Sequence, residues 1–125
     1  MTSGMDIDFG LLARDGVNVR TARAGETIFH EGDPATEMFV IKSGHVAIRL
    51  GNRTLAELGE RAIFGEMALI DGAPRSATAI AMTDCELVPV SEKQFLFLVS
   101  QTPYFALNVM RVLARRLDAT NRSFG

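Results

Sequence analysis

A series of short strand-like segments, separated by turn residues, constrains the fold of this chain more than any other feature. The first four breaks between the segments each contain a glycine, at positions 25, 32, 44 and 51. Short strands at this spacing, joined by glycine-centred hairpin turns, predict an antiparallel sandwich or roll rather than a parallel sheet. The predicted strands are Val17–Thr21, Thr27–His30, Met38–Lys42, His45–Leu50, Thr54–Leu58, Thr78–Met82 and Glu86–Val90.

After the last strand, the apolar pattern changes from the strand period to the helix period. Ser91 and Gln94 have the spacing of a capping box, which predicts the start of a short helix. A second helix is predicted to begin at Thr102-Pro103, because Thr is a favoured N-cap and Pro a favoured first helical residue. It continues to about Asn121 without an internal Gly or Pro.

The composition is that of an ordinary globular chain. Of its 125 residues, 47% are hydrophobic, so the chain is long enough to bury a sizeable core. We expect a single domain over residues 1–125, with a β-roll over about 17–90 and C-terminal helices over about 91–122. The lone cysteine, Cys85, excludes an internal disulfide and a cysteine-based metal cluster, and we interpret it as a small buried apolar group.

Charge and hydropathy argue against two classes of partner. The formal net charge is −2 and no long run of Lys or Arg occurs, so the chain lacks the basic field that nucleic acid binding needs. No apolar stretch has the length that spans a bilayer, and the first residues lack the basic and apolar regions of a signal peptide. We therefore expect a cytoplasmic protein with no DNA or membrane partner.

Glycine, acid and base converge in one stretch, residues 64–78. Gly65 permits a close backbone approach, and the helix formers Glu66–Leu69 predict a helical turn whose first N–H groups favour an anion. Asp71–Pro74 then ends the turn and folds the chain back, which brings Arg75 toward the same place. Arginine presents a permanently charged planar fork that matches two phosphate oxygens. The stretch therefore indicates an anion pocket.

Two interpretations of Glu66 stay open, because its carboxylate would repel a phosphate that it faced. It either forms a salt bridge with Arg75 across the turn, or accepts hydrogen bonds from neutral donors such as sugar hydroxyls. An exposed salt bridge contributes only about 0–1 kcal/mol, so charge alone does not decide between them. A phosphorylated sugar would supply both an anion for Arg75 and hydroxyls for Glu66.

This stretch resembles a known family. Phe-Gly-Glu-Met-Ala-Leu at 64–69, followed by Pro-Arg-Ser-Ala-Thr at 74–78, is similar in residue type and spacing to the phosphate-binding cassette of cyclic-nucleotide-binding domains. The family includes the sensor domains of the bacterial cyclic-AMP receptor protein and of cyclic-nucleotide-gated channels. The resemblance covers about Val17 to Asn121. It implies a mainly β fold, an antiparallel, jelly-roll-like β-roll with the cassette and C-terminal helices, and a cyclic nucleotide as ligand without a metal.

The resemblance also implies roles for individual residues. Glu66 would bind the ribose 2′-hydroxyl and Arg75 the cyclic phosphate. The amides of Met67 and Ala68 and the hydroxyl of Ser76 would complete the phosphate cradle. The whole ligand-binding set is Phe64, Gly65, Glu66, Met67, Ala68, Arg75, Ser76 and Ala77.

The second C-terminal helix has two neighbouring apolar stripes. One follows alternating steps of four and three, as in the seam of a two-stranded coiled coil, and the other is placed to face the protein's own roll. The seam predicts a homodimer through this helix, although it spans only about two and a half heptads. The seam residues are Ala106, Met110, Leu113, Leu117, Thr120 and Phe124, and the roll-facing residues are Phe105, Val109 and Val112.

Residues 113–120 are similar to the long helix after the roll in the bacterial cyclic-AMP receptor protein. By that resemblance Thr120 would approach the adenine amino group, and Asn121 would reach in from the dimer partner. Thr120 also fits the seam with its hydroxyl bonded back to its own helix, so both interpretations stay open. Thr120 favours cyclic AMP, whereas Ser76 would serve either base, and cyclic GMP remains an alternative ligand.

These observations predict a stand-alone cyclic nucleotide sensor rather than an enzyme. The sequence ends at Gly125, too soon for a helix-turn-helix or an attached effector, and no nucleophile has a neighbouring base. We expect ligand binding to repack the C-terminal helices and the signal to pass to a separate, unidentified protein effector. One alternative is a dimeric interaction scaffold of the same fold without a ligand. Another is a cupin-like metal enzyme, for which this sequence offers only His30 and His45 as histidine ligands.

Overall fold

Two four-stranded antiparallel sheets pack against each other in the computed structural model, which describes residues 19–70, 72–101, 104, 107, 109–111 and 114. The strands are β1 Arg20–Ala22, β2 Thr27–Phe29, β3 Glu37–Ser43, β4 Val46–Leu50, β5 Arg53–Leu58, β6 Ile63–Phe64, β7 Thr78–Ala81 and β8 Cys85–Ser91. The first sheet has the order β1-β8-β3-β6 and the second the order β2-β7-β4-β5. The predicted antiparallel roll is confirmed.

Strand β3 shows how the alternation of side chains builds two cores. Phe39 and Ile41 point into the space between the sheets, whereas Met38 and Val40 point to the outer face of the first sheet. The inner core, between the sheets, contains Ala22, Ile28, Phe39, Ile41, Val46, Phe64, Ala79, Ala81, Cys85 and Leu87. The outer core contains Met38, Val40, Ile63, Val88, Val90, Leu98 and Val109.

Two helices, α1 Met67–Ile70 and α2 Glu92–Gln101, follow β6 and β8. The predicted capping box begins α2: the Ser91 N–H donates to Gln94 Oε1 over 2.9 Å, and the Gln94 N–H donates to Ser91 Oγ over 3.2 Å. Leu98 of this helix packs in the outer core. Among the described residues, no helix has the length and apolar content needed to cross a bilayer.

The last described residues, 104, 107, 109–111 and 114, are also helical. Val109 is 3% exposed and belongs to the outer core, while its neighbour Met110 is 58% exposed. This agrees with the predicted division between a roll-facing stripe and a second stripe. The other residues of the two stripes lie outside the described part of the chain: Phe105, Ala106, Val112, Leu113, Leu117, Thr120 and Phe124.

Strand β6 is absent from the sequence-based prediction. It pairs with β3 through Phe39 opposite Phe64 and Val40 opposite Ile63. Two residues are too few to show a period of two, so the local pattern does not reveal the strand. The first predicted strand begins later than expected among the described residues, at Arg20, and residues 17–18 lie outside them.

The turn at Gly44 confirms that this glycine serves the fold. Its φ of +94° is a conformation that residues with a Cβ rarely adopt, and a Cβ there would collide with the Asp84 carbonyl oxygen and Cys85 Sγ. Cys85 is buried, as predicted, and its Sγ lies 3.2 Å from the carbonyl oxygens of His45 and Thr83. The close packing of this turn therefore requires glycine at position 44.

Candidate functional site

Gly65 follows β6 directly and brings the backbone close to an arginine side chain. Its φ is +74°, and a Cβ added there would lie 2.6 Å from Arg75 Nη1 and 3.4 Å from Phe29 Cε2. Both the backbone angle and the space exclude a side chain, because L-residues rarely adopt this φ and the guanidinium fills the volume. The glycine therefore permits a contact that any other residue would displace.

Arg75 is buried beneath the cassette, with 8% of its surface exposed. Its Nη1 donates a hydrogen bond to the Gly65 carbonyl oxygen over 3.0 Å. Its Cζ lies 4.1 Å from the centroid of the Phe29 ring, the geometry of a cation–π contact. Such a contact is worth about 2 kcal/mol when it is desolvated, so the ring helps to hold the charge inside the protein.

Three phenylalanines form an aromatic floor under Arg75. The ring centroids of Phe29 and Phe39 are 6.1 Å apart, those of Phe29 and Phe64 5.9 Å, and those of Phe39 and Phe64 5.3 Å. Each ring comes from a different strand, β2, β3 or β6. The guanidinium thus lies against aromatic rings that belong to the inner core or pack against it.

One donor of the guanidinium, Arg75 Nε, is buried and has no hydrogen-bond partner in the described part of the chain. A buried polar group without a partner costs about 1–3 kcal/mol, and more when it is charged. An anion placed beside Nε would remove this cost, which makes the atom the feature of the site that points most directly to a ligand.

Several charges act on the Arg75 guanidinium. Burial lowers its pKa from the ordinary value, and the charge of Arg20 lowers it further. The carboxylates of Glu37, Asp33 and Glu66 oppose this effect, in that order of strength. Because the ordinary pKa of arginine is so high, the group stays protonated at neutral pH. The site therefore presents a permanent positive charge.

Glu66 is 3% exposed, and its carbonyl oxygen accepts the Leu69 N–H over 3.0 Å at the start of α1. Its carboxylate acts on Arg75 more weakly than Glu37 or Asp33 does. The Glu66 carboxylate is thus one of the charges that act on the guanidinium.

The structure describes the remaining predicted cassette residues as follows. Phe64 and Ala77 are buried, whereas Ser76 is exposed. Met67 and Ala68 are the first two residues of α1. The two predicted base contacts, Thr120 and Asn121, lie outside the described residues.

Two groups that stabilise the Arg75 charge, the Phe29 ring and the Glu37 carboxylate, are absent from the sequence-based prediction. The sequence predicts Phe29 only as part of a strand, and it indicates no role for Glu37. The alternation in β3 carries a usable signal, since Glu37 lies two residues before Phe39 and so shares its face. Among the described residues, no group of three or more His, Cys, Asp or Glu side chains is placed to hold a metal ion.

Known proteins are similar to this chain in sequence and in fold. The profile described as "Cyclic nucleotide-binding domain" matches residues 19–102. The cyclic AMP receptor protein of Thermus thermophilus is 41% identical over 98 residues, which cover 74% of this chain and 45% of that protein. A cyclic nucleotide-gated potassium channel of Mesorhizobium japonicum is 41% identical over 90 residues, which cover 72% of this chain and 25% of the channel.

A solved structure agrees with these matches. The catabolite activator protein of Thermus thermophilus superposes with a TM-score of 0.77 at 36% identity, covering 86% of this chain and 53% of that one. The chain thus spans about half or less of the length of each of these relatives. The profile match, the identities and the cassette around Arg75 agree, and the chain belongs to the cyclic nucleotide-binding domain family.

Proposed function

We propose that this chain is a cyclic nucleotide sensor that binds cyclic AMP in the cassette at residues 64–77. The observation that carries the proposal is the buried Arg75 guanidinium, whose Nε has no partner among the described residues. A cyclic phosphate has the charge and the oxygen spacing to accept hydrogen bonds from this fork. Binding would therefore give Arg75 Nε an acceptor that the described residues do not provide.

The other cassette residues take the roles that complete a nucleotide site. Glu66 accepts a hydrogen bond from the ribose 2′-hydroxyl; this role is supported by its position directly after Gly65 and by the action of its charge on Arg75. The backbone amides of Met67 and Ala68 at the start of α1, together with the Ser76 hydroxyl, face the phosphate. Phe64, Gly65 and Ala77 shape the pocket by packing and by close backbone approach.

Cyclic AMP is the proposed ligand because a relative that is 41% identical carries the name cyclic AMP receptor protein. Thr120 and Asn121 are the proposed base contacts, Thr120 to the adenine amino group and Asn121 from a dimer partner. The residues that carry the case for a nucleotide, Arg75 and Glu66, contact the phosphate and the sugar. The identity of the base is therefore the part of the proposal that a cyclic GMP titration checks separately.

The proposed relay runs through the outer core. Leu69 of α1 packs against this core, as do Phe95 and Val99 of α2, and Val109 belongs to it. A ligand that moves α1 would therefore change the packing of both C-terminal helices. We propose that this repacking transmits the signal to a separate protein effector, and that the exposed stripe containing Met110 joins two copies of the chain.

The test is calorimetric titration of the purified chain, first freed of any copurified nucleotide, with cyclic AMP, cyclic GMP and 5′-AMP. The proposal predicts that cyclic AMP binds most tightly and 5′-AMP most weakly. Tighter binding of cyclic GMP would overturn the choice of base and keep the sensor. No binding of any of the three by folded protein would overturn the sensor and support a scaffold of the same fold without a ligand.

A further inference from the structure

Arg20 connects the edge strands of the two sheets. Strand β1 stands at one end of the strand order of its sheet, and β2 stands at one end of the other. Arg20 Nη2 donates to the Ile28 carbonyl oxygen over 2.8 Å, so this side chain reaches from β1 to the backbone of β2. Ile28 directly precedes Phe29, whose ring contacts Arg75. The hydrogen bond therefore holds the Arg20 guanidinium beside the strand that supports the site.

The aromatic floor contacts both arginines. Arg20 Cζ lies 5.6 Å from the centroid of the Phe39 ring, and Arg75 Cζ lies 5.7 Å from the same centroid. Both distances are within the range of a cation–π contact. The two Cζ atoms are therefore separated by at most about 11 Å, the sum of these distances, which is close to the Debye length of about 10 Å at 0.1 M salt. At this separation, salt screens the interaction of the two charges only in part.

The two positive charges repel each other when no anion is bound. Burial has the largest effect on the pKa of Arg75, and the charge of Arg20 acts in the same direction and lowers this pKa further. A bound anion changes the sign of what Arg20 contributes, because both guanidinium groups then attract the same negative charge. The arrangement of like charges therefore becomes favourable when a phosphate binds at Arg75.

We propose that Arg20 is a second cationic residue of the site: held beside the Phe39 ring by its hydrogen bond to the Ile28 carbonyl oxygen, it strengthens the binding of an anion at Arg75 through its charge. The inference rests on the proposed function, because it assigns Arg20 a part in the affinity for the cyclic phosphate. The sequence places Arg20 only in the first predicted strand, and gives it no role in binding.

Charge and hydrogen bonding make separable contributions at Arg20. Gln keeps an N–H donor for the Ile28 carbonyl oxygen but has no charge, whereas Lys keeps a donor and the charge without the planar fork. Arg20 is an exposed residue, so salt should weaken the effect of its charge. A role through charge therefore predicts that Arg20→Lys preserves binding, and that the effect of Arg20→Gln disappears at high salt.

The binding experiment is calorimetric titration of the whole chain with cyclic AMP at about 0.01 M and about 1 M salt, where the Debye lengths are about 30 Å and 3 Å. Arg20→Gln is expected to weaken binding about threefold at low salt and to match the wild type at high salt. Arg20→Lys is expected to stay within about 1.5-fold of the wild type at both salt concentrations. Adenosine, which lacks the phosphate, should bind these variants and the wild type equally.

The matched control is Arg23→Gln, which makes the same change in net charge at an exposed arginine just after β1. It should leave the affinity for cyclic AMP unchanged. Circular dichroism establishes that each variant is folded before it is titrated. Arg20→Met replaces Arg20→Gln if that variant does not fold, because Met keeps the apolar stem without the charge.

Three results would overturn the proposal in this experiment. Unchanged affinity of Arg20→Gln for cyclic AMP at low salt would show that the charge does not act on the ligand. An equal loss in Arg23→Gln would assign the effect to the net charge of the chain. An equal loss in Arg20→Lys would assign it to the geometry of the bond with Ile28 instead of the charge.

A second readout needs no ligand and separates this proposal from the proposed function. A double-mutant cycle of urea unfolding, with Arg20→Gln, Arg75→Gln and the variant that carries both, measures the coupling of the two charges. Arg20→Gln relieves the repulsion only where Arg75 is present, so it should lower the urea midpoint more in the Arg75→Gln background than in the wild type. High salt should remove this difference.

The two readouts fail independently. A wild type that binds no cyclic nucleotide but shows the coupling contradicts the sensor and keeps Arg20 and Arg75 as a paired cationic site. A cycle without coupling at low salt contradicts the pairing of the two charges, whatever the chain binds.

Discussion

The inner and outer cores of this roll are built from different kinds of element, and they serve the site in different ways. Every residue of the inner core comes from a β-strand, and its aromatic floor supports Arg75. The outer core joins three strands to α2 and Val109, with Leu69 of α1 packed against it. A core made only of strands suits a fixed binding group, whereas a core that includes helices can repack.

Nucleotide binding should therefore depend mainly on the surroundings of Arg75, and the response of the helices mainly on the outer core. Changes around Arg75 should affect the affinity for the nucleotide with little change in the helices. Changes in the outer core should affect the stability and the response of the helices more than the contact with the phosphate.

The largest expected effect on binding comes from Arg75→Ala, at the residue that the aromatic floor supports. It should weaken cyclic AMP binding by about 3 kcal/mol, the value of a charge-assisted hydrogen-bonded contact, and leave the fold intact. Titration calorimetry and circular dichroism measure the two quantities. Arg75→Lys is the informative companion, because it keeps the charge but loses the planar fork and should recover only part of the affinity.

Gly65→Ala should weaken binding by about 2 kcal/mol through the position of Arg75, because the new Cβ would lie in the space of the guanidinium. The matched control is Gly25→Ala, where φ is +86° but no atom lies within 4 Å of the added Cβ. Both variants carry the backbone strain, and only Gly65→Ala meets Arg75. Equal affinities of the two variants for cyclic AMP would contradict the close approach at Gly65.

Val109→Ala tests the outer core. It should lower the free energy of unfolding by about 2 kcal/mol, because it opens a cavity among buried side chains. Met110 is the next residue in the chain and lies on the exposed stripe, so Met110→Ala should change the free energy of unfolding by less than about 0.5 kcal/mol. Urea unfolding measures both. If Val109→Ala also abolished binding at temperatures where the protein is folded, the separation of the two cores would be wrong.

Glu66→Ala should have the smallest effect on affinity, about 1 kcal/mol, and a specific one. It should remove any preference for cyclic AMP over 2′-deoxy cyclic AMP, because the ribose hydroxyl would lose its acceptor. Competition titration with the two ligands measures the preference. Equal binding of both ligands by the wild type would contradict the role assigned to Glu66.

The two regions also differ in how far the sequence predicted them. The capping box at Ser91 and Gln94, the strands with glycine turns, and the split between Val109 and Met110 depend on local spacing, and the structure confirms them. The cassette was recognisable for the same reason, since Gly65, Glu66 and Arg75 lie within one short stretch. Periodicity and turn chemistry operate over a few residues, so the sequence displays them directly.

The support of the site was beyond local pattern. Phe29 lies 46 positions before Arg75 in the chain, and the pairing of β2 with β7 helps to bring their regions together. The backbone hydrogen bonds that Gly32 and Asp33 form with Arg75 also join residues that are distant in sequence. Strand β6 was missed because two residues cannot show an alternation. These contacts depend on the order of strands in the two sheets, which a single sequence does not display.

The most direct test of the account is the NMR signal of the Arg75 Nε–H group, observed while the wild-type chain is titrated with cyclic AMP and, separately, with adenosine. Because this donor is buried without a partner among the described residues, a phosphate oxygen that accepts its hydrogen bond should move the proton resonance downfield. We expect this downfield shift with cyclic AMP and no shift with adenosine. A resonance that stays in place at saturating cyclic AMP would contradict the claim that Arg75 binds the phosphate.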